Sequence, residues 1–334
     1  MKHLAKAFVI AAGLVFGASA TANAQQITVG LSLPETLDGF DFVNGMYRTF
    51  KEEVEANSDM TVDLIYGGAL GKPNDRLTQM RRGAIQMTDA ADGNYASIYP
   101  DIQVLNMPYL FPSEQAAWAI LDGPFGDKMA EDILAKTNVR VLGWWESGGF
   151  KHFSASKAIE TPQDMQGLKM RVLGPLSVIP VEGLGASASP VSFGELYTAL
   201  GTGVVDGQDN SISVFNLIKL YEVQSHLNLT GHTYAFGPLG ISEVFFAGLT
   251  ADQQDVIRAA AEKAIAYNRE TSRATEASGI TKAGDNGVTV VRLDEAQRAA
   301  FRDAMQPPAI DWLRENIDTP GLVDEAIAAV QDVR

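Results

Sequence analysis

A two-lobe α/β protein is the fold this sequence predicts, and three observations lead there. The chain opens with an apolar-polar alternation, an amphipathic stretch and a second alternation, the order of a β-α-β unit. A helix-glycine-strand pattern from the first third recurs 120 residues later. At 334 residues the chain also exceeds what a single hydrophobic core comfortably serves.

Taken in order, Lys2, His3 and Lys6 precede an apolar run from Ala7 to Phe16, and Ala22-Asn23-Ala24 offers small residues for cleavage. This is the pattern of a secretory signal, so the mature chain is expected to begin near Gln25. Ile27, Val29, Leu31 and Leu33 alternate with Thr28, Gly30 and Ser32, which predicts a strand. Phe42, Met46, Phe50 and Val54 recur every four residues among charged neighbours, which predicts an amphipathic helix. A second alternation from Met60 to Tyr66 completes the unit, with parallel strands and a right-handed crossover expected.

The echo pairs Leu77 to Asp89 with Tyr197 to Asp209. Each half reads as a helix, a glycine C-cap (Gly83, Gly203), a short buried strand and a polar strand end. Open α/β sheets bind ligands beyond the carboxyl ends of their strands, so Asp89 to Asn94 and Gln208 to Asn210 are candidate walls of one cleft. Ser192-Phe-Gly-Glu195 and Thr250-Ala-Asp-Gln253 are capping-box patterns. From Thr250 to about Ser278 there is no proline, and alanine, glutamate, lysine and arginine dominate. At about 1.5 Å per residue such a helix extends roughly 40 Å, enough to cross between lobes.

Bulk properties exclude several functions. No segment after the leader reaches the roughly 18 uninterrupted apolar residues of a membrane helix. Cysteine is absent, which removes disulfides, thiolate metal sites, a cysteine nucleophile and a lipidated N-terminal cysteine. Without Lys2 and Lys6 the chain has 24 basic residues against 41 acidic ones, a formal charge of −17. That surface disfavours nucleic acid and anionic membrane, and any acid-binding site must be a local positive island. His152, His226 and His232 fit no zinc spacing, and there is no Gly-x-Ser-x-Gly elbow or phosphate loop. Gly183-Leu-Gly-Ala-Ser-Ala188 matches a loose dinucleotide fingerprint but follows a helix-like segment and runs into Pro190. The chain is read as a non-enzyme with no metal and no organic cofactor.

Leu168, Met170 and Val172 alternate with Lys169 and Arg171, so a strand here buries three apolar side chains and turns both cations to the other face. That face is either solvent or a cleft. With Leu184-Gly-Ala186, Phe193-Gly-Glu-Leu-Tyr197 and Gly203-Val-Val-Asp-Gly-Gln-Asp-Asn210, the run resembles the DctP-type solute-binding proteins of tripartite ATP-independent periplasmic (TRAP) transporters. The resemblance implies a two-lobe periplasmic binding protein fold with a hinge, a ligand cleft between lobes and the long helix crossing both. It sets lobe I at 25–147 plus 236–277 and lobe II at 148–235 plus 278–334, behind a signal peptide at 1–24.

In that family the strand arginine clamps the ligand carboxylate, which implies this role for Arg171; a guanidinium offers two parallel donors to two oxygens. Lys151 stands where a second arginine is common. Lysine keeps the charge but loses the fork, and a solvated loop lysine is the alternative. Asn210 matches the asparagine presented to ligand, although Asp209 and Ser211 replace the family's usual glutamate and proline. Asp206 is read as structural. Phe193 matches the aromatic that covers the ligand body, whereas helical spacing alone points to core. Of Trp144 and Trp145, expected on opposite sides of a strand, Trp144 is assigned to core and Trp145 is kept as a cleft candidate. In lobe I, Glu35, Asp89 and Asn94, with Asp92 beside them, could accept from hydroxyls or an ammonium; surface solvation is the other reading. If two of them face inward, a hydroxylated or zwitterionic acid fits better than a plain dicarboxylate.

The expected function is therefore a periplasmic receptor that captures a small organic acid, whether sugar acid, hydroxy acid or C4-dicarboxylate, and delivers it to the TRAP membrane permease. It is expected to act as a monomer, without nucleic acid and without inserting in the membrane. A periplasmic ligand sensor on the same fold, or a receptor for a zwitterion, sulfonate or polyol, is the alternative.

Overall fold

The computed structural model describes residues 25–36 and 41–333. The signal-peptide reading, and the Leu37 and Asp38 end of the first loop, lie outside these residues.

β1 (Gln26–Gly30) buries Ile27 and Val29, and α1 (Asp41–Asn57) buries the predicted Phe42, Met46, Phe50 and Val54. β2 (Thr61–Ile65) then pairs with β1 in parallel, from Gln26 opposite Thr61 to Gly30 opposite Ile65. α2 (Pro73–Arg81), a turn at Gly83 with φ +76° and β3 (Met87–Thr88) follow, β3 lying parallel on the other side of β1. The left-handed turn is one that glycine adopts without the steric cost a side chain would add. Three helices, α3 (Asp92–Tyr95), α4 (Glu114–Leu121) and α5 (Pro124–Thr137), complete this part of lobe I.

β4 (Val139–Ala155) leads out of lobe I, and β8 (His226–Ser242) returns antiparallel to it. Each has 17 residues, a reach of about 55 Å at about 3.3 Å per residue, so both strands pass through both lobes. Between them lie β5 (Lys169–Val172), α6 (Pro175–Gly183), β6 (Ser187–Pro190), α7 (Leu196–Gly201), β7 (Gly207–Ser211) and α8 (Ile212–Leu217). The second half of the echo thus has the predicted order, with its turn at Gly203, φ +72°. α9 (Glu243–Phe246), α10 (Ala251–Asp285), β9 (Thr289–Arg292), α11 (Glu295–Asn316) and α12 (Leu322–Asp332) finish the described chain.

Among the described residues the strands form one nine-stranded sheet in the order β2-β1-β3-β8-β4-β7-β5-β6, with β9 also on β8. The β4–β8 ladder shifts register between Val141 and Trp144, between Glu146 and Gly149 and between Lys151 and Phe153. Each lobe has core on both faces of its sheet. Trp144 packs with Tyr234 and Phe236, and Trp145 packs with Val29, Phe42 and Leu239, so adjacent tryptophans do face opposite ways and both are buried.

The long helix starts where the sequence puts it, with Gln253 N–H donating to Thr250 Oγ1 at 3.2 Å and Thr250 N–H to Gln253 Oε1 at 3.1 Å. It buries Ile257, Ala260 and Ala264 in lobe I and Ala283 in lobe II, and ends at Asp285 rather than near Ser278.

Two expectations change. Ser192 donates its hydroxyl to the Glu195 carboxylate instead of accepting from the backbone, so the box opens only a 3₁₀ turn at Phe193–Glu195 and α7 begins at Leu196. The end of the chain was assigned to lobe II, yet Ala309, Leu313, Leu322, Val323 and Ala326 pack with Leu77, Ile102 and Phe125 of lobe I. α11 therefore starts against lobe II, where Phe301 and Met305 are buried, and finishes in lobe I.

Candidate functional site

β5 sorts its side chains as the alternation requires on one face only. Met170 and Val172 are buried in the lobe II core and Lys169 is exposed, but Arg171 is just 3% exposed. Its Nε donates to the Val191 carbonyl at 2.9 Å, while its buried Nη2 has no hydrogen-bond partner. Burial lowers its pKa and the nearby Asp209 carboxylate opposes that; a guanidinium stays charged through such a shift. A buried, charged donor without an acceptor costs free energy, so this nitrogen is poised for an anionic acceptor.

β4 and β7 run antiparallel, with Phe153 opposite Asp209 and His152 opposite Asn210. Lys151 and Asp209 consequently project from one face of the ladder, and His152 and Asn210 from the other. Asp209 lies 3.5 Å from His232 Nε2, and the His232 ring stacks on Phe153 at 4.1 Å between centroids. Thr230 Oγ1 sits 2.8 Å from the other ring nitrogen, Nδ1. Burial would raise the Asp209 pKa, but the His232 hydrogen bond and the charges of Lys151 and Arg171 outweigh it and hold the carboxyl down at about 2. Burial pushes His232 below its ordinary value despite the pull of Asp209. The ring is thus neutral near pH 7 beside an ionised carboxylate.

Lys151 also acts on lobe I. Asp92, 8% exposed at the start of α3, has its pKa raised by burial, against the charge of Lys151 and hydrogen bonds from Gly93 and Asn106. The Lys151 side chain makes no hydrogen bond or ion pair among the described residues, and its charge acts on both the Asp92 carboxyl of lobe I and the Asp209 carboxylate of lobe II.

The remaining candidates separate. Asn210 donates its amide to Gln208 Oε1, and Gln208 donates in turn to Ser154. Asp206 accepts from Lys169 N–H at 2.8 Å and ties down the turn. Phe193 is 44% exposed near the carboxyl end of β6. Trp145 fills the lobe I core with its Nε1 unpaired. Asp89 was read as an open acceptor, but its carboxylate is taken up by Arg76 at 2.6 Å and by the Ser32 backbone and hydroxyl at 2.7 and 3.0 Å. Asn94 closes the first turn of α3 and bonds Asn74 at 2.9 Å. Glu35 is exposed and gives its carbonyl to the Asn44 amide at 3.3 Å.

Sequence reasoning did not single out Asp92 or His232. Asp92 stood in a list of loop acids, and only Arg76, thirteen residues before Asp89, could have shown which acid was already paired. His232 was considered only as a metal ligand. Among the described residues no cluster of histidine and carboxylate side chains could hold a metal, and no helix is long and apolar enough to cross a membrane.

Residues 41–314 match the family model for bacterial extracellular solute-binding protein, family 7, DctP. A solute-binding protein of Verminephrobacter eiseniae is 34% identical over 263 residues, covering 78% of this chain and 77% of that protein. A TRAP periplasmic solute-binding protein from Ochrobactrum anthropi, with a C-terminus bound in its ligand pocket, superposes with TM-score 0.86 at 31% identity, covering 93% and 96% of the two chains. The sugar acid binding protein DctPAm from Advenella mimigardefordensis, solved with galactonate, gives TM-score 0.82 at 30% identity and covers 93% and 99%. With the two lobes, the crossing strands and the buried arginine already in view, these matches make the chain a member of the DctP family of TRAP periplasmic solute-binding proteins.

Proposed function

We propose that this chain captures one small hydroxylated organic acid, of the sugar-acid kind, in the cleft between its lobes and delivers it to a TRAP membrane permease. The observation that carries this reading is the buried Arg171 guanidinium with its unpartnered Nη2. A ligand carboxylate supplies the missing acceptor and a second oxygen beside it. Lys151 adds a second positive charge, and Asn210, which leaves the β4–β7 ladder from the other face, reaches the ligand by swinging its amide from Gln208 around the end of β7. Asp92 offers hydroxyls an acceptor on the lobe I side and repels a second carboxylate, which favours a sugar acid over a plain dicarboxylate. The galactonate carried by the Advenella relative is of this class. Phe193 covers the carbon body as the lobes close, the hinge motion known for periplasmic binding proteins. Export by a cleaved leader and action as a monomer belong to the same proposal.

The test is a thermal-shift and calorimetric screen of ligand-stripped protein with galactonate, galacturonate, succinate, a zwitterionic solute and an uncharged polyol, since a bound ligand stabilises by linkage. Sugar acids are expected to give the largest shift. Arg171→Ala should cost about 2 to 5 kcal/mol of binding, roughly thirtyfold or more. A loss under about threefold with the fold intact removes the clamp. Asp92→Asn should narrow the preference for sugar acid over succinate. Stabilisation only by the polyol or the zwitterion would replace the carboxylate ligand.

A further inference from the structure

A cavity of about 490 Å³ opens beside the crossing strands, and none of Arg171, Lys151, Asp209 or Asp92 lines it. Phe150 and His152 face it, two residues apart on β4 and so on the side of the strand opposite Lys151. Its size is within the range of small-molecule sites.

The walls divide into an apolar side and a polar side. Phe111, Phe150, Ile212 and Leu229 form the first. On the second, His152 is 6% exposed and accepts the Gly231 N–H at Nδ1, at 3.0 Å. That bond puts the proton of the neutral ring on Nε2, which is buried, has no hydrogen-bond partner and lies 3.9 Å from the Glu276 carboxylate. Tyr109 turns its buried hydroxyl to the same region, also without a partner, from a backbone held at φ 55°. A left-handed tyrosine stores strain that a packed core does not require. Arg298 and Arg302, one turn apart on α11, line the cavity and act electrostatically on the Tyr109 hydroxyl; neither bonds a lining carboxylate, and Arg302 uses only its Nε, on Asp303 at 3.3 Å. Three acids also line it. Glu114 and Glu276 are both held by Arg273, at 2.8 and 2.6 Å, and Glu295 sits in the first turn of α11, where the helix dipole favours it.

Two guanidiniums and two neutral donors on one side, and aromatic and aliphatic groups on the other, describe one kind of occupant. We propose that this cavity is a second binding site, separate from the Arg171 cleft, for an amphipathic organic anion: a carboxylate on an aromatic or branched apolar body. The carboxylate takes the Arg298 and Arg302 guanidiniums and the His152 Nε2 proton, while the body lies against Phe150 and Leu229.

The probe is 4-fluorobenzoate, titrated into the purified protein and followed by ¹⁹F NMR. Saturable binding is expected. Arg298→Ala combined with Arg302→Ala should weaken it by about tenfold or more, and both changes lie on the outer part of α11, where the fold does not depend on them. Leu229→Trp should block the probe by filling the cavity. Arg171→Ala should leave its affinity within about twofold. Absence of saturation up to about 10 mM overturns the site, as does a loss in Arg171→Ala equal to that in the double variant, or normal binding by Leu229→Trp.

Discussion

Asp209 and His232 have opposite needs in one buried space. The carboxylate requires cations around it, and the ring next to it is kept from becoming one by its own burial. Because both groups have folded-state pKa values below their ordinary ones, the unfolded chain binds more protons and stability is lost as the pH falls. For Asp209, stability is fully present above its ordinary 3.8 and is lost only as pH falls towards about 2. For His232 the loss begins where the unfolded ring protonates, below about 6.5, and continues until the folded ring does so. Melting temperature should therefore decline from pH 7 to pH 5, and less steeply in His232→Gln than in the parent. Equal slopes for the two proteins in thermal melts would exclude His232 as a source of the decline. At this scale the sequence was half legible. Lys169 and Arg171 share a face by alternation, but only the Val191 carbonyl and the closeness of Asp209 distinguish the buried cation from the solvated one, and both come from distant elements. Asp89 and Asp92 are likewise alike until Arg76 takes one of them.

α10 shows how an element carries information beyond its caps. Its start was readable because Thr250 and Gln253 satisfy each other locally. Its end was not, since the helix continues through Gly279 and Gly284, a residue type that commonly closes helices, as far as Asp285. Gly279 is present because α8 crosses close by: a Cβ there would lie 2.7 Å from Ile212 Cγ2 and 2.9 Å from Asn216 Nδ2, and the Asn216 amide donates to the Gly279 carbonyl at 3.0 Å. Gly284 meets nothing within 4 Å. The two glycines should respond oppositely to alanine. Gly284→Ala should stabilise by up to about 1 kcal/mol through helix propensity, whereas Gly279→Ala should destabilise by about 1 to 3 kcal/mol, overpacking outweighing the same gain. Urea denaturation of both variants decides the point; similar effects of one sign would mean that α8 can yield without loss.

At the scale of the molecule, the β-α-β unit, the echo and the crossing helix were legible because each rests on local periodicity. The destination of α12 was not: its apolar stripe specifies burial but not which lobe provides it, and the lobe I core does. The crossing strands belong to this scale as well, because Ser147-Gly148-Gly149 interrupts β4 where the ladder slips, with Gly148 at φ +90° and Gly149 at +78°. A Cβ on Gly149 would collide with Arg273 Nη2 and lie 3.1 Å from Glu146 Oε1. Arg273 ties α10 to Glu146 on β4 and to Glu114 on α4, so displacing it loosens three elements where the chain passes between lobes. Gly167 provides the control, with φ +76° and nothing within 4 Å of its Cβ. Both alanine variants carry the left-handed penalty of about 1 to 2 kcal/mol. Gly149→Ala alone disturbs the buried ion pair, and should lose about a further 1 to 3 kcal/mol of stability. If the lobes close on ligand about this segment, only Gly149→Ala should also change ligand affinity. Equal stabilities and unchanged affinities in the two variants would mean that the Arg273 network is a passive surface of the hinge and that closure turns elsewhere.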